Sequence, residues 1–158
     1  MHNVPDDYAD MIAAFERHHV DFVIVGAYAV GFHGYPRTTD DIDFLVRPTP
    51  ENGKSLDAAL KDFGAPISIS EDDMKPDRII QIGVKPVRID LITGVEGVSV
   101  DEIWATRVKG RFAGREVHFI SFDCLLKNKH ATGREKDKLD AASLERLKAA
   151  RRKPQRKP

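Results

Sequence analysis

The segment from Phe22 to Val46, FVIVGAYAVGFHGYPRTTDDIDFLV, constrains the fold more than any other part of the chain. Val23-Ile24-Val25 is a short β-branched run that stops at Gly26, so it reads as a buried strand. Residues 27–33 suit a short helix, which Gly34-Tyr35-Pro36 breaks. After Arg37-Thr38-Thr39-Asp40, the six residues Asp41–Val46 read as a second strand. Side chains alternate on a strand, so Asp41 and Asp43 share a face, roughly 7 Å apart at ~3.3 Å per residue. Ile42 and Phe44 then face a core.

Two carboxylates fixed side by side repel and raise each other's pKa. A divalent cation between them relieves the repulsion, although an Asp-x-Asp pair is also common on solvated strands. The upstream turn adds weight to the metal. A strand that breaks at Gly26-Ala27 into a helix leaves backbone N–H groups free to hold an anion. An anion cradle and a metal-binding acid pair about fifteen residues apart suit phosphoryl transfer.

Such a site calls for a third acid on a neighbouring strand. Val87–Ile92 alternates, with Val87, Ile89 and Leu91 on one face and Arg88, Asp90 and Ile92 on the other. An unpaired aspartate in so apolar a strand is costly. Asp90 is therefore expected either beside Asp41 and Asp43 as a third metal ligand, or in a salt bridge with Arg88 or Lys85.

These residues resemble the motif set of the DNA polymerase β-like nucleotidyltransferases. The segment Tyr35–Val46 is similar to small bacterial and archaeal members related to the AbiEii abortive-infection toxins. Lys129-His130-Ala131-Thr132-Gly133-Arg134-Glu135-Lys136-Asp137-Lys138-Leu139-Asp140 resembles that group's K-x-A-x-x-R-x-K-D-x-x-D element. The likeness runs from about Phe22 to Leu147. It departs at the turn, where the superfamily has Gly-Gly or Gly-Ser and this chain has Gly26-Ala27, without a hydroxyl.

The resemblance implies an α/β (α+β) minimal nucleotidyltransferase fold, a mixed twisted sheet flanked by helices with further helices at the C-terminus. It implies metal-dependent transfer of a nucleoside monophosphate from an NTP to an acceptor, with two magnesium ions held by Asp41, Asp43 and Asp90. Gly26 and Ala27 would cradle phosphates, with Arg37 and Lys129 as further phosphate contacts. Lys129 has an alternative role as the ion-pair partner of Asp137 or Asp140. The implied acceptor is tRNA or a protein, in a toxin–antitoxin setting with a cognate antitoxin. A small-molecule acceptor is disfavoured by the little chain left to build a pocket. The alternative function is a catalytically silent nucleotide- or RNA-binding module, suggested by Ala27 and a basic C-terminus.

With 158 residues the chain suits one domain, expected over 1–147, followed by a basic, flexible tail over 148–158. No acid follows Glu145, whereas Arg146, Lys148, Arg151, Arg152, Lys153, Arg156 and Lys157 do. Since the chain holds 25 charges of each sign, its first 145 residues carry 25 acids against 18 bases, a net charge of −7. A basic end on an acidic body is most often solvated, but it also suits a nucleic-acid contact. No apolar run approaches a membrane span and no secretion signal opens the chain, so a cytoplasmic location is expected. The lone Cys124 reads as a core residue.

Elsewhere, the stripe Tyr8, Met11, Ile12, Phe15 predicts a first helix, and Thr49-Pro50 caps another that stops at Gly64. Residues 78–84 and 87–93 read as a hairpin. Residues 100–108 read as a helix with Ile103 and Trp104 inward, 116–120 as a last strand, and Ser121 as the cap of a helix ending near Gly133. A final helix begins near Glu135.

Overall fold

The computed structural model describes residues 4–152. Helix α1 (Asp6–Arg17) buries the predicted stripe of Tyr8, Met11, Ile12 and Phe15. Strand β1 (Phe22–Val25) leads directly into α2 (Gly26–Phe32), and β2 (Asp41–Val46) follows. Helix α3 (Pro50–Phe63) is capped by the Thr49 side chain, which accepts from the Asn52 N–H, and ends at left-handed Gly64. A single tight turn over Asp72–Met74 precedes the hairpin of β3 (Ile79–Ile82) and β4 (Arg88–Ile92). Then come α4 (Val100–Thr106), β5 (Val108–Phe112), β6 (Arg115–Phe119), α5 (Phe122–Ala131) and α6 (Glu135–Arg152).

The six strands form one mixed sheet in the order β3-β4-β2-β1-β6-β5. β1 pairs antiparallel with β2, and β2 pairs parallel with β4, which puts the acid-bearing strands side by side at the centre. Phe15 of α1, Phe22 of β1 and Phe44 of β2 interlock with ring centroids 4.9–5.6 Å apart. Such pairs add roughly 0.5–1.5 kcal/mol each beyond their burial. The non-acid face of β2 is thereby anchored, and Asp41 and Asp43 are committed to the other.

One expectation is corrected. The helix expected over 100–108 stops at Thr106, and Val108 instead opens β5, a strand that the sequence reading passed over. Gly110 disguised it. A glycine weakens any strand pattern, yet here a Cβ would collide with Phe32 and come within 2.9 Å of Phe119 Cε2. Trp104 packs against the core as expected but stays partly buried, with the guanidiniums of Arg107 (3.8 Å) and Arg47 (4.6 Å) stacked on its ring.

Helix α6 carries the chain to Arg152, through the first part of the segment expected as a tail. Arg151 donates to the His33 carbonyl at 2.8 Å and lies over the Phe122 ring. The rest of that segment, 153–158, lies outside the described residues. None of the described helices is long and apolar enough to cross a membrane.

Candidate active site

Register brings the acids together. In the parallel β2–β4 ladder Asp43 lies opposite Asp90 and Asp41 opposite Arg88, while Val25 faces Asp43 from β1. One carboxylate oxygen from each of Asp41, Asp43 and Asp90 lies within 4.8 Å of the others. Asp90 is buried and the other two are partly buried. Three hard oxygen donors at this spacing, on two adjacent strands, fit Mg2+ chemistry.

Gly26 approaches the acids so closely that only glycine fits. Its φ is +71°, and a Cβ there would overlap Asp43 Oδ2 and stand 3.0 Å from Asp43 Cγ. The same residue thus turns β1 into α2 and clears room for a carboxylate. Val25, the residue before α2, supplies no side-chain cap, and Ala27 follows Gly26 within the first turn.

Burial and the charges of Asp41 and Asp90 push the Asp43 carboxyl up from 3.8 to about 7, against the opposing influence of the nearby Lys129 ammonium. A group so placed is still partly protonated near neutral pH.

Asp90 lies beside Asp41 and Asp43, and the expected salt bridge with Arg88 is also present. Arg88 Nε donates to Asp90 Oδ1 at 2.9 Å, and Arg88 Nη2 donates to Asp41 Oδ2 at 2.9 Å and to Asp90 Oδ2 at 3.1 Å. The sequence named Arg88 only as a rival explanation for Asp90. In the fold it is a built-in counter-cation for two of the three acids. Its own pKa is raised, mainly by the hydrogen bond to Asp90. Its position is set in turn by the alternation of β4, which places Arg88 and Asp90 on one face. Tyr8, expected only as part of the core stripe of α1, donates from its hydroxyl to the Arg88 carbonyl at 3.2 Å. Thr39, in the loop before β2, donates to the Asp41 carbonyl at 3.2 Å.

Replacing Arg88 by Gln should lower the melting temperature of the metal-free protein and enlarge the stabilisation produced by added Mg2+. Thermal unfolding with and without the ion reads both changes. Equal Mg2+ responses in the two proteins would show that Arg88 and the ion do not share the acids.

Lys129 and Arg37 lie in one buried network with the C-terminal helices. Lys129 Nζ is 2.8 Å from Asp137 Oδ1 and 3.1 Å from Asp140 Oδ2, and all three residues are buried. Arg37 Nη2 donates to the same Asp140 Oδ2 at 2.8 Å, while its Nε is buried without a partner among the described residues. Asp137 also accepts from Thr132 at 2.7 Å and Arg134 at 2.9 Å. Burial alone would raise the Asp137 carboxyl, but these donors hold it below its usual range. The alternative role expected for Lys129 is therefore real, and it coexists with a place near Asp43.

No family model matches the sequence, and no curated protein matches it. Solved structures do resemble the fold. The lincosamide antibiotic adenylyltransferase LnuA superposes with a TM-score of 0.62 at 16% identity, covering 91% of this chain and 98% of that one. The fold is that of the nucleotidyltransferases. The antibiotic-resistance factor ANT(2'')-Ia gives a TM-score of 0.57 at 16% identity, with 93% and 90% of the two chains covered. An antigenic nucleotidyltransferase-like protein from Paracoccidioides brasiliensis gives 0.56 at 19% identity, over 89% and 75%. The minimal nucleotidyltransferase architecture expected from the sequence is thus observed, with its mixed six-stranded sheet and C-terminal helices.

Proposed function

We propose that the protein is a metal-dependent nucleotidyltransferase that moves a nucleoside monophosphate from an NTP to a hydroxyl-bearing acceptor. The observation that carries this reading is the Asp43–Asp90 register, which converges three carboxylates beside the Gly26 turn. The likeness to adenylyltransferases supports it at the level of fold.

Asp41, Asp43 and Asp90 would hold the magnesium, two ions being the expected number. Bound there, the ion supplies Lewis-acid stabilisation of charge on the transferring phosphoryl group. The chain's own part is positioning and charge. Gly26 and Ala27 would offer backbone N–H groups to the phosphates, and Lys129 and Arg37 would offset their charge. The acceptor oxygen attacks the α-phosphorus, forming one O–P bond as the bond to the bridging oxygen breaks and pyrophosphate leaves. The hydroxyl proton passes to the Asp90 carboxylate, directly or through water.

A tRNA or protein acceptor and a cognate antitoxin remain proposals that rest on the resemblance to the AbiEii-related group. A second reading, a catalytically silent nucleotide- or RNA-binding module, is favoured by one observation: Arg88 already neutralises Asp41 and Asp90. Incubation with Mg2+, each α-labelled NTP, and RNA, protein and small-molecule fractions tests the choice. Label transfer that disappears in Asp90→Ala establishes the enzyme. MgNTP binding without transfer to any fraction supports the silent module.

A further inference from the structure

Two clefts share Arg37, and they differ in chemistry. One, of about 400 Å³, lies against α6 and is lined by Tyr35, Arg37, Lys136, Asp140 and Arg146 among others. Its one acid, Asp140, is already engaged by Arg37 and Lys129. This cationic cleft suits the highly anionic nucleotide.

The second, of about 590 Å³, runs along α2 and lies within the roughly 300–1,000 Å³ of small-molecule sites. Tyr28, Phe32, Pro36 and Phe112 give it an apolar wall, and Arg37 and Arg111 are its only charged residues among those described. Phe32 is 40% exposed and stacked on Phe119, with ring centroids 4.1 Å apart and planes 3° apart, so a flat ring surface is presented and held. The cleft also reaches the acids. Ala27 in its lining is adjacent to Gly26, and Thr39 bonds to Asp41.

We propose that this second cleft is the acceptor subsite, and that the acceptor is not the tRNA or protein suggested by the AbiEii-related resemblance but a small hydroxyl-bearing molecule with a flat or apolar body, uncharged or anionic. The inference rests on the nucleotidyltransferase reading. Charge complementarity divides the substrates: the nucleotide, with its phosphates at the Gly26–Ala27 turn, is drawn to Arg37 and the cations along α6, which leaves the apolar wall of the second cleft for the other. It also sets this chain apart from ANT(2'')-Ia, seen in complex with adenylyl-2''-tobramycin. A polycation would meet two arginines here and no carboxylate in the lining. The argument that the chain is too short to build a small-molecule pocket is thereby removed.

Gly31 offers a way to fill the cleft. A Cβ there would meet nothing closer than Pro36 Cα at 3.5 Å, an ordinary contact, so Gly31→Ala should fold normally while Gly31→Leu projects into the space. Arg111 is exposed on the β5–β6 hairpin, and Arg111→Glu reverses the local charge without touching the core. The probe is anilinonaphthalene sulfonate, an anionic aromatic fluorophore, titrated into the full-length protein with folding checked by circular dichroism.

Gly31→Ala should bind the probe like the parent protein, whereas Gly31→Leu and Arg111→Glu should each weaken it about tenfold. Saturating MgATP should leave the probe bound, and tobramycin should not displace it. Unchanged affinity in both weakened variants, displacement by tobramycin, or competitive displacement by MgATP would overturn the assignment, the last by making the cleft part of the nucleotide site. Calorimetry of MgATP alone separates the two levels. If MgATP does not bind at all, the nucleotidyltransferase reading fails and takes the acceptor role with it; if it binds and displaces the probe, only the acceptor role fails.

Discussion

Asp43→Asn is expected to lower label transfer by about a thousandfold or more, and yet to make the metal-free protein harder to unfold at pH 8. Both effects come from one carboxyl. Its pKa is raised from 3.8 to about 7 in the fold, so between those values the native state binds the extra proton. Stability of the metal-free protein therefore falls as pH rises from 3.8 towards 7, and this loss is complete above 7. The Asn variant lacks that slope, and well above pH 7 the difference should reach up to about 4 kcal/mol in its favour. Mg2+ must displace the same proton, so its affinity for the parent protein should rise about tenfold per pH unit until the Asp43 carboxyl is ionised, then level off. Denaturant melts of both proteins at several pH values, with Mg2+ calorimetry, measure the two slopes. A flat pH response in the parent protein would remove Asp43 from the proposed ion site.

The second large effect is expected at Lys129. Lys129→Met leaves the buried carboxylates of Asp137 and Asp140 to Arg134, Thr132 and Arg37. Removing one member of a buried ionic network typically costs about 3 kcal/mol or more, because the partner charges stay buried. Adding Asp140→Asn should restore part of that loss, as a double-mutant cycle would show. The ammonium also opposes the rise of the Asp43 pKa. Its loss should move the onset of Mg2+ binding to higher pH, an effect that a purely structural ion pair would not produce.

The acid strand, its turn and its neighbour were legible because each has a local signature. Gly26 breaks a β-branched run, Asp41 and Asp43 are separated by one residue, and Asp90 interrupts an apolar strand. Pairing of Asp90 with Asp43 was not readable, since hydrogen-bond register is fixed by the β3–β4 hairpin and the parallel approach of β4 to β2. Arg88 carried a visible signal, two residues before Asp90 on the same strand face. What was hidden was its reach across to Asp41, which depends on strand adjacency. β5 was obscured because Gly110 answers to the ring of Phe32, a contact between residues far apart in sequence. Arg37 was read as a phosphate contact, and what stayed hidden was the packing of α6 that brings Asp140 onto it.

The guanidinium that spans Asp41 and Asp90 would serve as a placeholder for the proposed ion. Small domains built around a structural metal come apart under a chelator. If the proposed ion sits on these acids, the Arg88 contacts should hold the carboxylates in place once it is stripped, so an emptied protein should stay folded and be reloaded without refolding. Turnover would then follow the free magnesium level, with an arginine stepping aside and back as the ion comes and goes.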